Sequence, residues 1–471
     1  MTKQEAVIKY IEDNYLQFNR LRHDVVSDKL QVRVAHPIGD RIEAKGDRQE
    51  QWREMTKHDI NSIVCHCAQE CDVNITSREV MTALQSDLIP DVHPLREYVL
   101  SCGEWTEEQP DWIDWVASQV HVRSGAPDRP SGCRSAQVPV DGRSAAPVDN
   151  AMLFSTASTT SDLQQCDPQC SASETIYSEQ RERSEADAFW RACFKKWFVA
   201  MVASWMTDEV VNHQVLVLIG KQGIYKTTWL EHLIPPHLRA YACKLANSND
   251  LNKDERLRIA EFGLISLDEI DSMNNRELNQ LKSIITATDV NERAAYAYTK
   301  ERRVRLASFC ASGNRRDFLT DITGNRRWLP FEVESIQSPF TTILPYERMY
   351  AQAWALAQDP FFSYWFDLDE IEVLEQHNQH FRDESNEEQL LAILFDIPAE
   401  GKGEFLTTAQ ISERLVTYGN IKKPMALSRL GMLLGAHGFQ KKSIGVQRLR
   451  GWLVYQRSMD EINANKRLYA K

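Results

Sequence analysis

The sequence predicts an α/β fold, and three apolar runs predict it. Val215-Leu-Val-Leu-Ile219 gives way to a loop with two glycines, Gly220 and Gly223, before a helical stretch opens near Trp229. Phe262-Gly-Leu-Ile-Ser-Leu267 ends in two adjacent carboxylates, Asp268 and Glu269, and Leu306-Ala-Ser-Phe-Cys-Ala-Ser-Gly313 ends in Asn314. Short unbroken apolar runs separated by helical segments are the pattern of strands buried on both faces. Composition agrees. A chain of 471 residues with 42% hydrophobic and 26% charged residues has room for two or three folded domains. No run of eighteen apolar residues occurs, and Met1-Thr-Lys-Gln-Glu-Ala6 has no apolar signal core, so a cytoplasmic protein without a membrane segment is expected.

Residues 1–123 read as a mixed α/β accessory unit. An amphipathic helix over Glu5–Asn14 is followed by a strand pair near Asp24 and Leu30–Val34, then a helix capped by Thr56. Trp105, Trp112 and Trp115 are expected to form a small apolar cluster. Cys65, His66, Cys67 and Cys71 invite a metal reading. They sit in a helical stretch with no second pair at zinc-ribbon spacing, so they are read as thiols without a ligand role.

Residues 124–182 are small, polar and proline-rich without periodicity, the composition of a disordered linker. Residues 183–338 hold the three apolar strands, preceded by a helix whose Phe189, Trp190, Phe194, Trp197 and Phe198 are assigned to core packing. Residues 339–398 read as a helical connector. Residues 399–471 show helix, helix and a basic hairpin, the order of a small winged-helix-like domain.

The net charge of −12 argues against a uniformly basic nucleic-acid binder, but its distribution is uneven. From Gly401 onward thirteen Lys/Arg stand against four Asp/Glu, a net +9, which leaves −21 for the rest. Lys441, Lys442, Arg448 and Arg450 of the basic hairpin are candidates for duplex DNA phosphates.

The strand–loop–helix at Gly220-Lys-Gln-Gly-Ile-Tyr-Lys-Thr-Thr228 is a phosphate loop. Backbone N–H groups of Gly220, Gln222, Gly223, Ile224 and Tyr225 through Thr228 are placed to cradle the phosphates of ATP, with Lys226 reaching them and the Thr227 hydroxyl ligating Mg²⁺. Glycine usually precedes that lysine. Tyr225 stands there instead, so the loop is expected to hold it at ordinary φ or to lose affinity. Asp268 is the expected second Mg²⁺ ligand, Glu269 polarises the attacking water, and Asn314 orients it. Arg326 and Arg327, in Thr323-Gly-Asn-Arg-Arg-Trp-Leu-Pro-Phe331, are candidates for an arginine that neutralises transition-state charge.

Between the second and third motifs lies a basic segment containing Lys300, Arg302 and Arg303. It resembles the extra motif of superfamily 3 helicases, where a basic hairpin enters the ring's pore and grips single-stranded DNA. The stretch from Gly220 to Val333, including the tyrosine at 225, the Asp268-Glu269 pair and the Thr-Gly-Asn-Arg-Arg-Trp-Leu-Pro-Phe phrase, resembles the virulence-associated protein E family of phages and bacterial mobile islands. That resemblance implies an AAA+-like P-loop ATPase core using ATP and Mg²⁺. It also implies a homo-oligomeric ring, a hexamer being one form, and leaves open a separate primase partner. The expected function is an ATP-driven DNA helicase or translocase in replication of a mobile element. The alternative is a nucleotide-gated DNA-binding regulator that hydrolyses ATP slowly without unwinding.

Overall fold

The computed structural model describes residues 2–35, 50–123, 170–245, 258–292, 301–321, 324–399, 403–419, 424–444 and 449–469. The chain begins with α1 (Lys3–Ile11), β1 (Leu21–Asp24), β2 (Lys29–Ala35), β3 (Glu50–Glu54), α2 (Lys57–Cys71), α3 (Ser77–Leu84) and β4 (Asp91–Val92). Thr2, Thr56 and Thr76 each start a helix with a capping box, their partners being Glu5, Asp59 and Glu79. The first helix ends at Ile11, short of the predicted Asn14, where the chain passes into a π-turn over Glu12–Leu16. The strands form a sheet in the order β3-β2-β1-β4. Ala6, Val7, Ile11, Ile63, Val80 and Leu84 close a small core. Cys67 sits in that core with its thiol directed to the Ala6 carbonyl.

The expected boundary at 123 is not where the packing divides. The next elements are α4 (Pro94–Ser101), α5 (Trp112–Ala117), β5 (Val120–Val122) and the long α6 (Cys170–Met206). Leu95, Val99, Ile113, Val116 and Val122 are buried in one cluster with Trp190, Phe194 and Trp197 of α6. The tryptophans do not cluster as expected. Trp112 lies against this larger core beneath the Arg348 guanidinium, while Trp115 is exposed. The predicted linker is also shorter at its far end. Residues 124–169 lie outside the described residues, but helix begins at Cys170, in a stretch rich in Glu, Gln, Arg and Ala that favours it.

The main sheet follows, with β6 (Val215–Gly220), α7 (Lys226–His232), β7 (Ala242–Leu245), β8 (Leu264–Leu267), α8 (Asn275–Thr286), a hairpin of β9 (Asp289–Glu292) and β10 (Glu301–Val304), β11 (Ser308–Gly313) and β12 (Trp328–Ile336). Its strand order is β5-β12-β6-β11-β8-β7. All neighbours run parallel except β5, which lies antiparallel on the outer edge of β12. Apolar residues fill both faces because both are covered. Leu216 and Leu218 point to the aromatics of α6, and Val215, Val217 and Ile219 point to Leu278, Leu281 and Ile285 of α8. Pro330 is tolerated in β12 because β5 pairs only from Val333 onward, leaving the earlier half, among the described residues, without a strand partner on that side.

The remaining elements are α9 (Tyr346–Gln358), α10 (Leu368–Asn378), α11 (Asn386–Leu394), β13 (Phe395–Asp396), β14 (Glu404–Leu406), α12 (Thr408–Gly419), α13 (Leu427–Ala436), β15 (Gln440–Ile444), β16 (Leu449–Gln456) and α14 (Met459–Tyr469). Strand β16 pairs with β13, β14 and β15. Leu391 and Leu394 of α11 share a core with Leu406, Ile411, Leu430, Trp452 and Val454, so α11 packs with the C-terminal elements and not with the connector. The architecture is mixed α/β throughout. Among the described residues no helix is long and apolar enough to cross a membrane.

Candidate functional site

Strand β6 is buried until Gly220, where it turns out of the sheet. A Cβ on Gly220 would stand 2.6 Å from the Val333 carbonyl oxygen, so only glycine lets β6 and β12 approach there. Gly223 has φ +86°, a conformation glycine adopts freely.

Tyr225 does not take the ordinary φ that is one of the two expectations for it. It is left-handed, with φ 66° and ψ 16°, the conformation that glycine would supply without strain. Holding a tyrosine there costs about 1–2 kcal/mol. Its ring stands partly exposed against Phe340.

The loop then brings four elements together. Lys226 is 7% exposed, and its ammonium donates to the carbonyls of Gly220 and Lys221 at 2.7 Å each and to Asn314 Oδ1 at 3.3 Å. Burial pushes its pKa down, opposed by Asp271 and Asp268. The Thr227 hydroxyl donates to Asp268 Oδ1 at 3.2 Å and lies 2.9 Å from the Ser312 hydroxyl, which itself donates to the same oxygen at 2.8 Å. The other carboxylate oxygen of Asp268 is held by Lys244 at 2.8 Å. Burial raises the Asp268 pKa, but Lys244, Ser312 and Thr227 outweigh it and keep the carboxyl below its usual range.

Glu269 follows, exposed and left-handed at φ 53°. Asp271 receives the backbone N–H groups of Asn314 and Arg315, each at 3.1 Å, and so fixes the end of β11 beside the loop. Gln222 is exposed, Ile224 packs against the main core, and the Thr228 carbonyl accepts from His232 Nδ1–H at 2.7 Å. Lys244, Ser312 and Asp271 were missed in the sequence. Lys244 and Ser312 stand singly in strands, where only the parallel register reveals their neighbours, and Asp271 lies in the turn after β8.

The donor set suits Mg²⁺. Thr227, Ser312 and Asp268 offer oxygen only, and Mg²⁺ takes oxygen ligands, with one or two carboxylates completed by water and phosphate. Among the described residues no group of three or more His, Cys, Asp or Glu forms a cage that could hold a metal without such help.

Arg326 and Arg327 lie elsewhere. They occupy a short 3-10 turn that leads into Trp328, and Trp328 pairs with Val215, whereas Val333 pairs with Gly220. From the first rung to the last the strands climb roughly 16 Å. The two arginines therefore sit at the end of β6 and β12 opposite the phosphate loop. Arg326 is exposed, and burial with Arg326 nearby lowers the Arg327 pKa.

The DNA candidates divide. Lys300 and Arg448 lie outside the described residues. Arg302 is 76% exposed and pairs with Asp289 across the β9–β10 hairpin at 2.8 Å. Arg303 is not presented for DNA as expected. Its side chain is 18% exposed, and its guanidinium bonds Asp28 of the N-terminal unit at 2.8 Å, with Glu261 at 3.7 Å. Arg305, from the same basic segment, is buried and donates to the carbonyls of Ile285, Ala307 and Asn212. Lys441, Lys442 and Arg450 are exposed on the β15–β16 hairpin. Lys441 lies over the Trp452 ring at 5.6 Å, and the pairing of Lys442 with Gly451 puts it on the opposite face from Lys441 and Arg450.

These elements make an α/β chain whose main sheet carries a phosphate-loop sequence, an acid and an amide at adjoining strand ends. Residues 172–389 match the model of the virulence-associated protein E-like domain. The matched stretch runs from α6 into α11. No curated protein matches the chain at a significant level. Among solved structures, an apo structure of the NrS-1 C-terminal region shares 9% identity at a TM-score of 0.39, covering 96% of this chain and 100% of that one. An A-form apo structure of the same region has the same identity and score and covers 96% and 99%, and another covers 94% and 98% at 0.38. Likeness at this level assigns no function.

Proposed function

We propose that the chain is an AAA+-like P-loop ATPase that binds Mg²⁺-ATP and couples its hydrolysis to movement on DNA, as a helicase or translocase of a mobile element. The observation that carries this reading is the meeting of Lys226, Thr227, Asp268, Ser312 and Asn314 at one end of the main sheet. Lys226 would bind the β- and γ-phosphates. Thr227 and Asp268 would hold the metal, which supplies charge neutralisation at the transferred phosphoryl group. Glu269 would take the proton of the attacking water, and Asn314, fixed by Asp271, would orient that water. Strand β11 lies between β6 and β8, and so sets Asn314 between phosphate loop and acids.

Arg326 and Arg327 cannot reach the loop of their own chain, so their role is read as action on a neighbouring copy in a ring. The order α12, α13, β15, β16 is read as a winged helix, and Lys441, Lys442 and Arg450 as its contacts to duplex phosphates. Arg302, on the hairpin, is the described candidate for a single strand in the pore.

One observation favours the second reading, a slow nucleotide-gated regulator. Arg303 is engaged by Asp28 and Glu261, which ties the hairpin base to the N-terminal unit. Unwinding of forked DNA with ATP, compared between the parent chain and Lys226→Ala, decides between them. Unwinding that vanishes in the variant supports the motor. ATP hydrolysis without strand separation supports the regulator.

A further inference from the structure

Beside the phosphate loop stands an aromatic group that the ATPase chemistry leaves unexplained. Because β12 runs parallel to β6, the segment after Ile336 emerges at the same end of the sheet as the loop. That segment is fixed on both sides. Gln337 N–H donates to the Gln119 carbonyl, and the Tyr346 hydroxyl donates to the His232 carbonyl at 2.7 Å. Between these anchors Phe340 is 72% exposed, with its ring centroid 6.1 Å from that of Tyr225 and 5.7 Å from that of His232. Both neighbouring rings stand near-perpendicular to it, at 80° and 84°. A phenyl ring that is 72% exposed and braced near-perpendicular by two others offers apolar surface to a flat ligand.

We propose that Phe340, braced by Tyr225 and His232, is the stacking platform for the nucleobase of the bound nucleotide. The proposal rests on the phosphate-loop reading and extends it to the other end of the ligand. It accounts for Tyr225. Glycine would fill position 225 without strain, and strain retained beside a site points to a task for the side chain. Here the task is to brace Phe340. Stacking uses the π-face that every base has, so this platform favours nucleotides over bare polyphosphate and separates ATP from GTP only weakly.

The test uses the full chain with Mg²⁺ and three probes: ATP, inorganic tripolyphosphate and a single-stranded oligothymidylate. Phe340→Ala should weaken ATP about tenfold, equivalent to about 1.4 kcal/mol, and leave tripolyphosphate and oligothymidylate unchanged. Phe340→Trp should keep ATP affinity, and its fluorescence should respond to ATP but not to tripolyphosphate. Tyr225→Gly should lose ATP affinity without loss of thermal stability, which excludes unfolding as the cause. Equal ATP affinity in Phe340→Ala and parent overturns the platform, as does equal loss for ATP and tripolyphosphate. Loss of oligothymidylate alone would assign the ring to DNA and also overturn it. A parent chain that binds neither ATP nor tripolyphosphate removes the phosphate-loop reading itself, and the platform with it.

Discussion

The two ends of the β6–β12 strand pair differ in what they hold. At the Gly220–Val333 end stand a buried lysine hydrogen-bonded to an amide, and beside them a depressed carboxylate that accepts from two hydroxyls. At the Val215–Trp328 end stand Arg326 and Arg327. The first end is the proposed site for a nucleotide and Mg²⁺. The second offers positive charge away from that site. A rigid sheet keeps the two ends roughly 16 Å apart within one copy, so the proposed arginine role requires the arginine end of one copy to face the loop end of another.

The largest expected effect comes from the arginine end. Arg326→Ala/Arg327→Ala should bind ATP like the parent and hydrolyse it about 10³-fold more slowly, the scale of an arginine supplied to a phosphoryl-transfer transition state. Weakened ATP binding in this double variant would place the pair at the loop of its own chain. At the other end, Glu269→Gln should lower hydrolysis about 10²-fold with ATP still bound, the scale of a general base. Parent-like turnover would remove Glu269 from that role.

The strand pair itself carries the third prediction. His377 Nε2–H donates to the Pro330 carbonyl of β12 at 2.7 Å, and burial pushes its pKa down to about 4. An unfolded histidine titrates near 6.5, so between about pH 6.5 and pH 4 the unfolded chain binds a proton that the fold refuses. This contribution to stability is complete above that window, falls by roughly 3 kcal/mol through it, and changes no further below it. Thermal unfolding followed from pH 7 to pH 4.5 should show a shallower decline in His377→Gln than in the parent.

The smallest effect concerns Lys244, which holds one oxygen of Asp268. Both groups are partly exposed, so Lys244→Ala should lower the Mg²⁺ concentration for half-maximal activity only about two- to fivefold. A raised requirement would show that Lys244 assists the metal and does not compete with it.

How legible each end was follows from how local its signals are. The apolar run, two glycines and Lys226-Thr227 lie within one strand–loop–helix, so the loop end was readable with its neighbours Asp268 and Asn314. Ser312 and Lys244 were not, because they join the site through strand register across the sheet, and Asp271 was not, because it acts through the backbone at the end of β11. Strand β5 was hidden for the same reason. Val120–Val122 is too short to show alternation, and it pairs with residues more than two hundred positions away. The handedness of Tyr225 went against residue preference, as expected where tertiary structure imposes the backbone. Arg303 carried the right charge for DNA, but its partner Asp28 lies in another sheet. Arg326 and Arg327 were legible as a pair, and only the parallel register of β12 on β6 set them at the far end.

Mixing two inactive chains tests the division of the site most directly. Lys226→Ala lacks the loop end and Arg326→Ala/Arg327→Ala lacks the arginine end, but an interface between them can pair an intact loop with an intact arginine pair. ATP turnover that rises in the mixture, at concentrations where the copies assemble, is the predicted result. Turnover that stays at the level of the separate variants would contradict a site shared between chains.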